Sequence, residues 1–398
     1  MSRDRRAVSI AFLAFGAVSG SWVPRIPALK DHLHISDGQV GYGLLAFSLG
    51  AVIGAGIARL VLGRGARAWV RGGTIAICAA LLGPALASSF TQLLISLLVL
   101  GMCAGFIDML ENAQAAELER MAGRPLINGF HGFWSLGVLA GAVFAGTAAY
   151  AGIAPLPQFA FAAIAAAAGS AFFLRDLPNT RSGAPRVASG ASGRFWLTGF
   201  VVAVAAISFC SILVEGGTAD WSPLYLKELS HATPGIAAGG FAAFALAATV
   251  VRFRADLLTA HTSPRAVARL GGLIAALGLT LAIAVPALPG AITGFALVGI
   301  GTAVLVPLAF SAGANLGASG TALALVMAGG YSGSIAGPAM IGNVADRFGL
   351  RVALGIPLAA AIVIIALAGS LNGGSALASE SEAGPAETAG PRGRGVSG

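Results

Sequence analysis

The sequence predicts an all-α membrane protein, twelve transmembrane helices arranged as two pseudo-symmetric six-helix halves, and three observations carry that expectation. Hydrophobic residues make up 57% of the chain and charged ones only 10%, with a mean hydropathy of +0.85, whereas a soluble domain carries roughly a quarter of charged residues. The apolar residues come in unbroken runs of the length needed to cross the hydrocarbon core, about 17–25 residues. Polarity does not alternate along these runs, as it would in barrel strands, and a helix satisfies its own backbone hydrogen bonds in lipid.

Arg3, Arg5 and Arg6 precede the first run, Ala7 to Pro27. A charged start before an apolar stretch also describes a secretory signal, but a retained helix is expected, because cleavage would leave an odd number of spans. Gln39 to Leu62, Val70 to Ala87, Leu93 to Ala116, Leu126 to Tyr150 and Gln158 to Leu174 complete the first half, residues 1–175. Gly, Pro, Ser and charged residues separate the runs and act as helix punctuation. Asp176 to Arg194, rich in Ser, Gly, Pro and Arg, reads as a linker between the halves. The second half, residues 195–371, holds Phe195 to Leu226, Gly235 to Val251, Ala268 to Val285, Gly290 to Ala314, Gly320 to Val344 and Val352 to Leu371. Residues 372–398 turn to Gly, Ser, Ala, Glu and Pro without apolar periodicity, the composition of a disordered tail.

The formal charge of +8 does not point to nucleic acid, because the arginines sit in short loops rather than along a helix face. Those loops lie around 59–71, 120–124, 175–194 and 252–269, all on the side of the N-terminus, whereas the opposite side carries little beyond Arg25, Lys30, Lys227, Arg347 and Arg351. Positive loops stay in the cytoplasm, so both termini are expected there. Cys78, Cys103 and Cys210 all fall within apolar runs, in an odd number and with no CxxC spacing, so neither a disulfide framework nor a metal site is implied.

The halves repeat one another. Trp22-Val23-Pro24 returns as Trp221-Ser222-Pro223, and the basic loop Arg59 to Arg71 returns as Arg252 to Arg269 at nearly the same offset. Internal repeats of this kind are the architecture of secondary transporters, whose substrate sites lie near the midplane between the repeats.

One stretch carries more polar groups than lipid tolerates. Between Leu93 and Gly146 the fourth run holds Asp108, Glu111, Asn112 and Gln114, and the fifth holds Asn128, His131 and Trp134. Ionisable residues at membrane depth face a partner or a water-filled path. Asp108, Glu111 and Asn112 fall within about 100° of arc on one helix face, and Asn128, His131, Trp134 and Ser135 share a face of the next. If the faces meet, Asp108 beside His131 makes a pair able to exchange a proton. The alternative is that His131 simply bonds across the two helices, worth ~0.6 kcal/mol in such bundles.

In the seventh run, Glu215 precedes Gly216-Gly217, an interruption of the kind that opens binding sites in broken helices. Asp220 is expected at the aqueous edge, near Arg25. Trp22 and Trp221 read as interfacial anchors, which leaves Trp134 as the aromatic solute contact. The glycines from Gly333 to Gly342 read as helix packing.

The basic stretch from Arg252 and Arg254 through Asp256 to Arg265 and Arg269 resembles the loop signature of the major facilitator superfamily. The resemblance implies a gating latch formed by Asp256, Arg252 and Arg265. The first copy, Gly63-Arg64-Gly65-Ala66-Arg67, lacks the aspartate. Asp108 to Asn112, Gln114, Glu119, Gly123 to Pro125, His131 to Gly137 and Glu215 to Ser222 resemble a poorly characterised bacterial branch of that superfamily near the fucose/proton symporters.

The resemblance implies a secondary active transporter of a small polar solute, proton-coupled, working by alternating access in the bacterial inner membrane. Asp108 and His131 are the expected proton carriers, and Asn112, Trp134, Glu215, Asn128 and Glu111 the expected solute contacts. No Walker lysine motif, nucleophile elbow or HExxH is present, so no enzyme and no cofactor is expected. The expected partners are the solute, a coupling proton and the bilayer around a monomer. A drug or metabolite exporter is the alternative, with a roomier, more apolar cavity, and a non-transporting membrane sensor stands behind it.

Overall fold

The computed structural model describes residues 3–62, 65–123, 126–173, 175, 177, 199–255, 262–315 and 321–372, and every regular element among them is helical. Asp256, most of the linker and nearly all of the tail lie outside the described residues. Twelve helices are long and apolar enough to cross a membrane. They are α1 (Arg3–Leu33), α2 (Asp37–Val61), α3 (Arg67–Leu86), α4 (Phe90–Ala122), α5 (Ile127–Tyr150), α6 (Pro155–Phe173), α7 (Gly199–Leu229), α8 (Pro234–Phe253), α9 (Pro264–Ala284), α10 (Leu288–Asn315), α11 (Thr321–Phe348) and α12 (Leu350–Leu371). Twelve crossings return Leu371 to the end at which Arg3 starts, here called the terminal end; the opposite one is the far end.

Local chemistry sets the bounds. Ser36 caps α2 in a reciprocal capping box with Gln39, and Ser89 caps α4 by accepting from the Gln92 N–H. Gly123 ends α4 in the left-handed conformation at φ 61°, where a Cβ would be strained. Prolines account for the irregular spans. In α1 the α-helix stops at Trp22, passes through a 3-10 turn over Val23–Arg25 and resumes at Ile26, because Pro24 and Pro27 lack the N–H that the ladder needs. Pro307 and Pro357 each follow a break, at Ala303 and Val304 in α10 and at Leu354 in α12, because the ring lacks the N–H that would reach back to the carbonyl four residues earlier and crowds it. The glycine pair in α7 does not break it: the helix runs straight through Gly216-Gly217, and Gly217 instead lets Ile341 of α11 approach.

With lipid outside and apolar side chains inside, the hydrophobic effect does not bring these helices together, and close backbone approach does. Gly16 and Gly20 of α1 face Trp134 and Val138 of α5, and Gly137 and Gly141 of α5 face Leu13 and Ala17 of α1. A Cβ on Gly16 would lie 2.1 Å from the Trp134 carbonyl oxygen, so only glycine fits this seam. The same device joins α2 to α4, where Gly101 and Gly105 meet the carbonyls of Phe47 and Ala51. These seams fix the rotation of α4 and α5, and with it the direction in which Asp108 and Trp134 point. Gly333, Gly337 and Gly342 pack as the sequence suggests, against Phe209 and Leu213 of α7 and against the start of α2.

Each half has its own buried aromatics, Phe12, Phe130 and Phe159 in the first and Trp221, Tyr225 and Phe295 in the second. Tyr225 satisfies its hydroxyl by donating to the Ala282 carbonyl at 2.6 Å. Leu60, Ile75, Ile164, Phe172 and Leu270 point outwards, as a lipid-facing surface requires. The halves meet along α2 with α11 and along α5 with α8.

Candidate functional site

Between the halves lies a cavity of about 430 Å³. Both halves line it: α1, α2, α4 and α5 from the first, and α7, α8 and α11 from the second. Its wall is largely apolar and aromatic, with Phe15, Trp22, Phe47, Phe241 and Phe244 among the lining side chains. Four charged residues reach it, Asp108, Glu215, Asp220 and Arg252.

Asp108 stands at the head of a three-residue chain. The Asn112 amide donates to Asp108 Oδ1 at 3.1 Å, and to the Asp108 carbonyl at 2.9 Å, while Asn112 Oδ1 lies 3.1 Å from His131 Nε2. An amide oxygen only accepts, so this geometry has His131 donating from Nε2. Phe12 packs edge-on against the imidazole, with ring centroids 5.4 Å apart. The expected direct Asp108–His131 contact is therefore replaced by a bridge. The i, i+4 spacing places Asn112 on the Asp108 face, so that it stands between acid and imidazole. An amide does not pass a proton on. It can couple the two ends, since a protonated Asp108 gains an O–H that the carbonyl side of Asn112 can accept, which would turn the NH2 towards His131.

Arg252 forms the second cluster. Helix α8 runs two residues past the expected end at Val251, which carries the guanidinium into the cavity rather than into a loop. Nη2 pairs with Glu215 Oε1 at 2.5 Å, Nη1 reaches Ser135 Oγ at 3.4 Å and Nε reaches the Ala303 carbonyl at 3.4 Å. The guanidinium also lies 6.0 Å from the centre of the Trp134 ring. One residue of the second half thus touches Ser135 and Trp134 of the first. Arg265, expected in the same latch, lies in the first turn of α9, and Asp256, expected to join them, falls outside the described residues.

The other predicted site residues separate. Trp134 and Glu215 line the cavity with Asp108, but Asn112, Asn128, His131 and Glu111 do not. Glu111 is 1% exposed, and neither carboxylate oxygen has a partner among the described residues. Asp220 is a cavity residue rather than an edge residue, and Arg25 does not pair with it: Arg25 is buried and donates to the Ile153 carbonyl at 2.6 Å. Trp22 and Trp221 are buried in the bundle rather than anchored at an interface, and Trp22 lines the cavity.

Sequence reasoning missed the closure of the far end. Lys30 of the first half pairs with Glu228 of the second at 2.5 Å, and Lys227 of the second pairs with Asp31 of the first. The two pairs cross reciprocally. Beside them Ser36 donates to Asp346 at 2.8 Å, and the Tyr42 hydroxyl lies 3.3 Å from Asn343 Oδ1. A signal was available, because the dipeptides Lys30-Asp31 and Lys227-Glu228 stand 197 residues apart (227 minus 30), close to the offset of the Trp-x-Pro repeat. The clasp is the internal duplication expressed as an interaction.

The family profile described as Major Facilitator Superfamily matches residues 7–338. An uncharacterized transporter, y4wD of Sinorhizobium fredii, is 33% identical over 350 residues, covering 87% of this chain and 92% of that protein. The membrane protein MosC of Rhizobium meliloti is 31% identical over 368 residues, 90% of this chain and 88% of its own length. Among solved structures, a variant of the nucleoside transporter NupG superposes with a TM-score of 0.74 at 13% identity, covering 94% of this chain and all of that one. FucP in the outward conformation superposes at 0.62 with 16% identity, over 92% of this chain and 98% of its own.

Proposed function

The chain belongs to the major facilitator superfamily, and on that premise we propose that it moves a small polar solute across the bacterial inner membrane by alternating access, with a proton as the coupling ion. One observation carries the reading. A cavity shared by both halves is closed at the far end by ion pairs between the halves, and it bears on its wall Asp108, from which Asn112 and His131 lead away behind the lining. In this reading residues 1–175 and 195–371 rock as units about the cavity, with the monomer as the working unit. The arginine bias supports cytoplasmic termini, which makes the far end the outside and this conformation closed to it.

Asp108 and His131 hold the coupling proton, and Asn112 reports the state of one to the other. Glu215, Arg252 and Trp134 meet the solute. Arg252 serves the gate as well, because its contacts with Ser135 and Trp134 cross the boundary between the halves and must change when they separate.

Purified protein in proteoliposomes, given an imposed pH gradient and a panel of labelled solutes, tests this. Gradient-driven uptake that falls at least tenfold in both Asp108→Asn and His131→Ala is expected. Unchanged gradient-driven flux in both variants sinks the proton assignment, and absence of gradient-driven flux in the parent sinks proton coupling itself. The apolar aromatic wall favours a second reading, export of an amphipathic metabolite or drug in exchange for protons. Acidifying the opposite face of the vesicle then accelerates flux, whereas symport stalls.

A further inference from the structure

Asp220 is the cavity carboxylate that neither cluster engages. Among the described residues it has no hydrogen bond and no ion pair, while Glu215 is taken by Arg252 and Asp108 by Asn112. We infer that the solute is an organic amine with an apolar body, its ammonium group received by Asp220; this rests on the transport reading above and narrows its solute.

The polar atoms of the wall decide the class. Three carboxylates and one guanidinium line the cavity, a formal charge of −2 (three negatives, one positive). The guanidinium is spent on Glu215, Ser135 and the Ala303 carbonyl, so no cation is left for an anionic solute. A sugar or polyol needs donors and acceptors together. Yet the Thr249 hydroxyl donates to the Ala245 carbonyl at 2.7 Å, the Ser334 hydroxyl donates to Tyr331 at 2.9 Å, and Ser135 already accepts from Arg252. Ser19, Ser48 and the Trp134 indole N–H keep donor capacity, but among the described residues the charged group of the wall left without a partner is the Asp220 carboxylate, an acceptor, which suits a donor-only group such as –NH3+.

The surroundings of Asp220 point the same way. Glu215 and Asp220 are five residues apart on α7, ~7.5 Å of helix rise, so Asp220 lies deeper towards the far end. Trp22, Phe47, Phe241 and Phe244 line the same cavity, with the Trp22 and Phe47 rings 5.3 Å apart. Aromatic faces attract ammonium groups and cover an apolar body equally well. An amine entering head first would seat its charge at Asp220 and lay its body between there and the Glu215–Arg252 pair.

The test measures the charge preference of the cavity directly. In protein with Cys78, Cys103 and Cys210 replaced by alanine, Ser19, which lines the cavity, becomes the single cysteine. Its reaction with trimethylammonium-ethyl and with sulfonatoethyl methanethiosulfonate is timed, each normalised to a free thiol. The cationic reagent should lead by about tenfold or more, the scale on which a charged cleft steers small ions. Asp220→Asn, which removes the charge and keeps the shape, should cut that lead several-fold. In a second arm, thermal unfolding is followed with 2-phenylethylamine, 2-phenylethanol and phenylacetate at equal concentration. Stabilisation by the amine alone, lost in Asp220→Asn, is expected. Equal rates for the two reagents, or a larger shift with the alcohol or the acid, overturns the amine and leaves transport standing. A Ser19→Cys thiol that no reagent reaches from either face of a proteoliposome overturns the cavity, and with it the transport reading and the amine together.

Discussion

Breaking the crossed pairs at the far end should open it, and the size of the effect follows from which contacts cross between the halves. Lys30 makes two ion pairs, but the one with Asp37, at 2.6 Å, lies within the first half and survives when the halves part. Only Lys30–Glu228 and Lys227–Asp31 count towards closure. Exposed pairs are worth about 0.2–1 kcal/mol. Lys30 and Glu228 are 17% and 34% exposed, which puts that pair near the top of the range, about 1 kcal/mol. Asp31 is 61% exposed, so its pair with Lys227 falls near the bottom, about 0.3 kcal/mol. Lys30→Ala should then shift the closed-to-open equilibrium by about fivefold, and Lys30→Ala with Lys227→Ala by close to tenfold, since 1.4 kcal/mol corresponds to a factor of ten.

Spin labels on Ser88→Cys and Ala287→Cys, at the far ends of the two halves and outside the clasp, would report the two populations as separate distances in pulsed electron resonance. Lys227→Asp sets two acids face to face and should open the far end; adding Asp31→Lys should close it again. Raising the salt to about 1 M, where the screening length falls to about 3 Å, should reproduce part of the alanine effect. A distance distribution that neither alanine variant moves, and that the charge exchange does not restore, would refute the clasp as a determinant of the closed state.

Two further outcomes concern stability. In Gly137→Ala the new methyl would lie 2.2 Å from the Leu13 carbonyl oxygen and force α1 from α5, at a cost of about 1–3 kcal/mol, whereas Gly169→Ala, with open space around it, should gain about 0.5–1 kcal/mol from helix propensity. Thermal unfolding in detergent should move in opposite directions for the two, and a shared direction would contradict the seam. Glu111→Leu should stabilise the protein by about 1–3 kcal/mol, because it removes two buried oxygens that have no partner among the described residues. A loss of stability there would mean that the carboxyl has a partner. A stable variant that no longer transports would return Glu111 to the machinery.

The sequence by itself determined the number of spans, the two related halves, and the company that Asp108 keeps with Asn112. All three follow from rules that act along one chain: span length against bilayer thickness, repeated motifs, and the i, i+4 neighbourhood of a helix. It did not determine which way each helix turns. In a soluble bundle the apolar stripe announces the inner face, but here lipid and core are equally apolar, so the shared helix face put both Asp108 and Glu111, three residues apart, at the expected site. The glycine seams settle it, facing Asp108 into the cavity while Glu111 is buried away from it. Partners distant in sequence were hidden for the same reason. Arg252 read as a loop cation until two more residues of α8 carried it onto Glu215, and Lys30 and Lys227 read as stray outer charges until the packing of the halves crossed them with Glu228 and Asp31. Coulomb attraction acts over ångströms of space, and only the tertiary structure brings together charges that stand about two hundred residues apart.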